Sequence, residues 1–355
     1  MKNTLIATLI SFSVQAQEEV EVGIDARDGK LMYEAWCGRC HGSDGKGEVE
    51  GIELDTPVPD FTDCSFTTRE PRKDWMAVIM HGGPARGLSM TMPAWGEAIS
   101  EEQAVAIVGH IKTFCSESDW PQGDLNFRRA QITSKAFPEN EALVIPTFTG
   151  ANRQSLQTKL MYESRIGPAG QWEISIPFAS RFGDPAESGI GDVEIAGKYA
   201  FFHDLSSMTI VSFGLEAGLP TGSAAKGLGS GIWKLSPYLA AAKGIGSTFL
   251  QTSLKVGKPL RRGHNAELSF NLAWTIPLTD EKRGLFPGIE LNGITVPGEP
   301  ASTLFITPQL YIGLVKRGHI AWSTGVQIPV AGDKPFDYRI VSFLLWEYAD
   351  GGLWW

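Results

Sequence analysis

The C-terminal two thirds of the chain alternates polar and apolar residues in runs of roughly ten, and this pattern limits the possible fold more than any other feature. In one run Leu268, Phe270 and Leu272 share one face, while Ser269 and Asn271 share the other. Such period-two alternation is typical of β-strands with one apolar face. Ten runs occur, near positions 157, 171, 190, 208, 234, 247, 264, 303, 319 and 338, and weaker runs near 142 and 288 would make twelve.

Run length and the chemistry of the two faces indicate where these strands lie. Strands of about 9 to 11 residues match a tilted membrane crossing, whereas strands of soluble proteins average about 5 or 6. The apolar faces carry aromatic residues near the run ends, and the opposite faces carry charges that a closed core would not accept. The aromatic end Leu353-Trp354-Trp355 looks like the recognition signal of outer-membrane barrels. We therefore predict an antiparallel transmembrane β-barrel of about 12 strands over residues 142–355, with a soluble β-sandwich as the alternative.

A different motif lies upstream, where Cys37, Cys40 and His41 form the pattern Cys-x-x-Cys-His. Two thiols at this spacing can each form a thioether with a vinyl group of one porphyrin, and the adjoining histidine can then bind the iron. The adjoining histidine, and the lack of a second Cys-x-x-Cys in the sequence, argue against a thioredoxin-like pair or half of a zinc site. The motif predicts one covalently bound haem c with His41 as an axial ligand.

Met92, in the sequence Met92-Pro93-Ala94-Trp95, is the predicted second axial ligand. A histidine and methionine pair raises the reduction potential and suits electron transfer. Met90, His81 and His110 are the other candidates, because a loop methionine can also simply fill a gap in a core.

Residues 24–115 resemble class I c-type cytochromes, through the Cys37 to His41 motif and the Met92 to Trp95 segment. The resemblance implies a small all-α domain around the haem. It also implies that the carbonyl of Pro57 or Pro59 accepts a hydrogen bond from the His41 ring, which would fix the ring's orientation.

The chain divides into four predicted parts. Residues 1–16 carry Lys2, a short apolar stretch and Val14-Gln15-Ala16, which together predict a secretory signal peptide. The cytochrome domain follows over 17–120, and a polar, proline-punctuated linker over 121–141 leads to the barrel at 142–355.

Two further cysteines, Cys64 and Cys115, remain in the predicted cytochrome domain. In an oxidising compartment two leftover thiols in one small domain most simply pair, so we expect a disulfide, with free buried thiols as the alternative.

The acidic charge of the chain is concentrated in the cytochrome part. Residues 17–120 hold 20 acidic and 9 basic residues, a net charge of −11, against −9 for the whole chain. This field should attract basic redox proteins of the periplasm and exclude nucleic acid as a partner, although the excess can also serve only solubility.

The polar faces of the strands carry charges of both signs. We expect these side chains to form an ion-pair ladder inside the barrel, with a metal-binding relay as the alternative. The carboxylates are Glu173, Asp192, Glu194, Glu216 and Glu267, and the cations are Lys198, Arg181 and Lys255.

The barrel half also resembles outer-membrane proteins of the MetA phenol-degradation-pathway type, through the segments 191–199 and 215–223. One haem domain ahead of a barrel is similar to the fused cytochrome-porins, and that resemblance implies electron transfer with an external donor, including metal oxidation.

These features lead to three functional hypotheses. In the first, the protein carries electrons at or across the outer membrane, with the haem domain on the periplasmic side and lipid around the barrel. In the second, the barrel is a solute channel with a tethered periplasmic cytochrome. In the third, the protein is a soluble periplasmic cytochrome with a β-sandwich domain. No hydrolytic or group-transfer site is evident in the sequence, so we expect an electron-transfer protein rather than an enzyme, with an oxidase of an external donor as the alternative.

Overall fold

The structure, a computed structural model, describes residues 28–52, 54, 56–151, 154–279, 283–298 and 302–350. The predicted signal peptide at 1–16 and the aromatic end at 353–355 lie outside these residues. No helix in the described ranges is long and apolar enough to cross a membrane.

The described part of the N-terminal domain is helical, as predicted. Its helix boundaries follow the local capping signals: the Asp28 side chain accepts hydrogen bonds from two backbone N–H groups of the first turn, and Ser100 forms a capping box with Gln103. The helices are α1 (Gly29–Trp36), α2 (Gly38–His41), α3 (Cys64–Thr67), α4 (Arg72–His81) and α5 (Glu101–Thr113), with short 3-10 helices at Gly83–Arg86 and Gly123–Leu125.

The apolar faces of α1, α4 and α5 pack into one core. Tyr33, Ile79 and Ile107 are among its buried residues, and Phe61 joins it from the loop before α3. A disulfide joins Cys64 at the start of α3 to Cys115 just after α5, with the Cα atoms 5.0 Å apart. The bond therefore holds two otherwise distant ends of the domain together.

The C-terminal part is all β. Its strands are β1 (Glu141–Gly150), β2 (Ser155–Ile166), β3 (Gly170–Arg181), β4 (Glu187–Ile190), β5 (Val193–Asp204), β6 (Thr209–Leu219), β7 (Lys234–Ile245), β8 (Thr248–Pro259), β9 (Glu267–Thr275), β10 (Leu285–Thr295), β11 (Ser302–Gly313), β12 (Ile320–Ala331) and β13 (Tyr338–Glu347).

Twelve of the strands in the described residues close into an antiparallel barrel. Each pairs with its neighbours along the chain, and β1 pairs with β13 to close the ring, with Glu141 opposite Glu347. The short β4 pairs only with the end of β3. The predicted number of about 12 is confirmed, and the two weaker runs near 142 and 288 correspond to β1 and β10.

The two faces of the barrel have opposite polarity. On β9, Phe270, Leu272 and Trp274 are 40 to 44% exposed on the outer face, while Asn271 and Ala273 face inward and are buried. An apolar exterior around a polar interior is the arrangement of a transmembrane barrel and the reverse of a β-sandwich. The chain is thus a small helical cytochrome domain followed by a transmembrane barrel.

The connections at the two ends of the barrel differ in length. At the end where β1 begins and β13 ends, the turns at 167–169, 205–208 and 246–247 are short. At the opposite end the loops at 182–192 and 220–233 are long. We call these the terminal end and the loop end of the barrel.

Candidate haem site and the closed lumen

The attachment motif is held at the junction of α1 and α2. Cys37 separates the two helices, and its carbonyl accepts hydrogen bonds from the N–H groups of Cys40 and His41, at 3.1 and 3.0 Å. The Tyr33 hydroxyl donates to the carbonyl of Gly42 at 2.7 Å and thereby holds the chain where α2 ends. Neither cysteine is in a disulfide; Cys37 is buried and Cys40 is exposed.

The His41 ring stacks on Phe61, with the ring centroids 4.8 Å apart and the planes 19° from parallel. Burial lowers the pKa of His41 to about 4, so the ring is neutral at physiological pH, the state that binds a metal. Its Nδ1 is buried and has no hydrogen-bond partner within the described ranges. The proline carbonyl implied by the family resemblance therefore stays a prediction, and the contact that the structure shows for the ring is the stack on Phe61.

Met92 lies on a loop that is fastened back onto the domain. Its carbonyl accepts from the N–H of Gly83 at 3.0 Å, and the N–H of Trp95 donates to the carbonyl of Ile79 at 2.9 Å. The Met92 side chain is partly buried against the same core cluster that contains Cys37 and Phe61. The structure therefore places Met92 on the core that surrounds the attachment motif.

The other candidates for the second ligand are placed differently. Met90 is 86% exposed, and His81 is also exposed. The His110 ring packs on Tyr33 and Phe114, at 5.3 and 5.0 Å between centroids. Met76 and Met80, which the sequence pattern does not single out, also pack on the core. They lie within α4, where helical spacing does not distinguish a haem ligand from a core residue. The role of Met92 as the second axial ligand stays a prediction.

These residues fit a c-type haem. A buried thiol, an exposed thiol and a neutral imidazole lie within five consecutive residues, and the core beside them is apolar. Burial raises the pKa of the Cys37 thiol to about 11, so this sulfur is held as a thiol and not as a thiolate metal ligand.

The segment predicted as a linker has an unexpected position. Residues 127–139 enter the barrel at the terminal end, turn back near Ile132 and leave by the same end to begin β1; we call this segment the plug. Phe127 stacks on Phe249, the second residue of β8, where the plug enters. The N–H of Glu139 donates to Gln171 of β3 at 2.6 Å, where it leaves.

Contacts with strands on all sides show that the plug lies within the lumen. Gln251 of β8 donates to the Arg128 carbonyl at 2.8 Å, and Lys198 of β5 donates to the Phe137 carbonyl at 2.8 Å. The Gln131 side chain donates to Ser323 of β12 at 2.6 Å. A segment bonded to strands this far apart around a closed barrel must lie inside it.

A buried charge network holds the plug at its root. Arg129 forms ion pairs with Glu141 of β1 and Glu163 of β2. Lys135 forms ion pairs with Glu139 and Glu141. Buried charges are tolerated only when they are paired, so these partners specify where the plug root lies.

One carboxylate holds the tip of the plug. Glu290 of β10 is fully buried and accepts hydrogen bonds from the backbone N–H groups of Gln131, Ile132 and Thr133, the shortest at 2.6 Å. The Thr133 hydroxyl also donates to it at 2.6 Å. Three successive N–H groups around one anion form a compact, charge-assisted anchor.

The plug is also joined to the cytochrome domain. The N–H of Gly123, just before the plug, donates to the carbonyl of Thr68 at 2.6 Å. The N–H of Arg72 donates to Asp124 at 3.1 Å, and Arg69 pairs at 2.9 Å with Asp350, just past β13. The cytochrome domain is thus held at the terminal end of the barrel.

The predicted ion-pair ladder exists, but most of its partners differ from those expected. Glu216 pairs with Lys255 at 2.6 Å, as predicted. Two other carboxylates pair with lysines outside the predicted set, Glu194 with Lys159 and Glu267 with Lys234. The predicted cations Lys198 and Arg181 donate to backbone carbonyls, of the plug and of Gly227 respectively. Asp192 accepts from Gly222 and Ser230, and Glu173 lies opposite Glu163 in the register.

The carboxylates that come closest to a metal-binding group are not those of the predicted relay. Glu139, Glu141 and Glu347 bring oxygen atoms within 4.8 Å of one another. Lys135 pairs with the first two, so their charge is already compensated by the plug.

Comparisons with known proteins agree with the two-part organisation. Residues 24–111 match the family described as cytochrome C oxidase, cbb3-type, subunit III, and the N-terminal part is a cytochrome c-type domain, which implies haem binding. Residues 148–333 match the family described as "Putative MetA-pathway of phenol degradation". Among curated proteins none matches.

Solved structures resemble the barrel in fold. The COG4313 outer membrane channel from Pseudomonas putida F1 is 13% identical, with a TM-score of 0.48, and the match covers 62% of this chain and 99% of that one. The KdgM porin is 11% identical with a TM-score of 0.40, and the NanC porin is 9% identical with a TM-score of 0.42. Each of these two matches covers 58% of this chain and 98% of the porin.

Proposed function

Because the chain belongs to the MetA-pathway of phenol degradation family through its barrel and carries a cytochrome c-type domain ahead of it, we propose that it carries electrons at the outer membrane. The haem domain exchanges electrons with periplasmic proteins while the barrel holds it at the membrane. The observation that supports this most is the join between the two parts: the plug is bonded to the barrel, and Asp124, just before the plug, is bonded to the cytochrome domain.

We propose a single haem c, attached through Cys37 and Cys40 and bound axially by His41 and Met92. A c-type haem supplies one-electron exchange. Tyr33 fixes the backbone after the motif, and Phe61 fixes the plane of the His41 ring. Because these contacts hold the ligands in place in advance, little rearrangement should accompany a change of oxidation state.

We place the terminal end of the barrel, and with it the haem domain, on the periplasmic side. Outer-membrane barrels have short periplasmic turns and longer extracellular loops. The two shortest turns of this barrel, 167–169 and 246–247, lie at the terminal end, and its two longest loops, 182–192 and 220–233, lie at the loop end. The apolar exterior then contacts outer-membrane lipid.

The proposed partners are basic periplasmic redox proteins. The net charge of −11 over residues 17–120 steers a basic protein toward the haem domain, and this attraction weakens as salt is added. Stopped-flow mixing of the oxidised full chain in detergent with a reduced basic c-type cytochrome measures this exchange. We expect rapid reduction that slows with ionic strength, and much slower exchange with a reduced acidic cytochrome. Equal rates with the two cytochromes would contradict the proposed partner, and no exchange with either would contradict electron transfer.

A solute channel is the second candidate. It is favoured by the cavity of about 250 Å³ that remains above the plug tip, and it requires the plug to leave the lumen. Conductance in planar bilayers separates the two functions. The wild-type protein should show no steady conductance if the plug stays in place, whereas an open channel would conduct without any added partner.

A further inference from the structure

The cavity above the plug tip is a pocket with a floor. Ile132, at the turn of the plug, lines its base. Lys234 and Glu267 line it higher up, and these are the first residues of β7 and β9 at the loop end of the barrel. The cavity therefore extends from the plug to the loop end; we call it the outer cavity.

Three ion pairs follow one side of the outer cavity. Glu216 lies 2.6 Å from Lys255, Glu194 lies 2.9 Å from Lys159, and Glu267 lies 3.7 Å from Lys234. All six side chains remain 24 to 44% exposed. Five of them line the cavity and are accessible to a solute, and Lys159 is held beside the cavity by Glu194.

Amide side chains form the remaining wall of the outer cavity. Asn271, Asn292 and Gln327 line it from β9, β10 and β12, and Arg339 donates to Gln327 at 3.3 Å. Each carboxylate of the lining is thus paired with one ammonium group, and the amide groups add donors and acceptors.

This pairing decides which solutes fit. A solute with a net charge can replace only one partner of an ion pair, and it leaves the other ion without a counter-charge. A neutral polyol would gain hydrogen bonds only. A zwitterion keeps the balance and gains on both sides, because its carboxylate can approach the lysines while its ammonium group approaches the glutamates. Exposed ion pairs contribute little to stability by themselves, so a ligand can rearrange them at low cost.

We propose that the outer cavity is a binding site for a small zwitterion that carries one ammonium and one carboxylate group. This inference goes beyond the proposed electron transfer and does not depend on it, because the site involves no haem ligand. A colourless protein would contradict the proposed function and leave this site intact.

Calorimetric titration of the full-length protein in detergent tests the proposal with three probes. Glutamine is a zwitterion without net charge, glutamate carries a net negative charge, and glucose is an uncharged polyol. We expect glutamine to bind at least tenfold more tightly than the other two. Failure of glutamine to bind, or equal binding of glutamine and glucose, would overturn the proposal.

Two substitutions make the test independent of a general loss of folding. Glu216→Gln leaves Lys255 without its partner and should shift the preference at least tenfold toward glutamate. Lys255→Gln should shift the preference toward free lysine, a fourth probe that carries a net positive charge. The matched control is Glu187→Gln, which removes the 3.4 Å pair with Lys226 in the loop region and should leave all affinities unchanged. If the first two substitutions shift the preference in the same direction, the proposal is wrong.

Discussion

The His41 ring is stacked on Phe61. The ring's Nδ1 has no partner in the described residues, while the stack is close and nearly parallel. Phe61 is itself only 3% exposed and packs edge-on against Trp75 at 5.5 Å. The stack therefore connects the imidazole to the aromatic core of the domain.

Met92→Ala tests the second axial ligand. We expect the purified protein to keep its covalent haem but to lose the weak absorbance at long wavelength that a sulfur-to-iron bond produces, because alanine offers no ligand atom. Met90→Ala is the matched control, since that exposed side chain lies two residues away and should leave the spectrum unchanged. An unaltered spectrum in Met92→Ala would contradict Met92 as the ligand and make Met76 and Met80 the next candidates.

Lys112 should make the stability of the cytochrome domain depend on pH. Burial lowers its pKa from 10.5 to about 8, and its ammonium group lies 4.8 Å from the Trp75 ring. Between these two pH values the unfolded chain binds more protons than the folded one, so the free energy of unfolding should rise with pH. Thermal unfolding of the full chain, followed by haem absorbance from pH 7.5 to 9.5, measures the slope. Lys112→Met should lack this contribution, and an equal slope in both proteins would contradict it.

At the scale of elements, the plug is the part of the chain on which the closed lumen depends. Its root is fixed by ion pairs, whereas its tip is held by hydrogen bonds, most of them to Glu290 and one to Ser323. Because most of the bonds of the tip meet at one side chain, the tip is the place where a single substitution can loosen the plug.

Glu290→Gln should loosen the tip of the plug. An amide offers one acceptor oxygen in place of two and no charge, so we expect a loss of about 1 to 3 kcal/mol of stability. Planar bilayers should show intermittent conductance that the wild-type protein lacks. Glu267→Gln, which changes a carboxylate at the loop end without touching the plug, should remain closed. Equal conductance in the two variants would contradict the anchoring role.

The sequence was informative for strands and uninformative for the plug, for a physical reason. Strands such as β9 face lipid on one side and the lumen on the other, so alternation records their burial directly. The plug lies within the lumen, where Arg129 pairs with Glu163 of β2 and the tip binds Glu290 of β10, both far along the chain. A run of polar residues with prolines nearby is also typical of an exposed linker. Only the long-range pairs distinguish a plug inside the barrel from such a linker. Local alternation also does not specify which strands are neighbours, and for this reason Glu194 and Glu267 have partners other than those predicted.

At the scale of the whole molecule, the cytochrome domain and the barrel are fastened by few but specific contacts. Arg69 connects them through Asp350, and its guanidinium group lies 6.0 Å from the Phe66 ring beside the haem core. The arrangement requires that the haem domain and the short turns share one side of the membrane.

Cysteine labelling in intact cells tests this orientation. The four native cysteines are committed to the haem motif and the disulfide, so an introduced thiol can be labelled selectively. We expect a membrane-impermeant thiol reagent to label Asn265→Cys, in the loop between β8 and β9. Ser206→Cys, in the turn between β5 and β6, should react only after the outer membrane is permeabilised. The reverse pattern would place the haem domain outside the cell.

The path of the plug has a topological consequence. The plug enters and leaves the barrel through the same end, so the chain does not pass through the barrel from one end to the other. The plug could therefore be withdrawn and reinserted with every strand pairing intact. Assembly would not require the chain to be threaded through a barrel that has already closed.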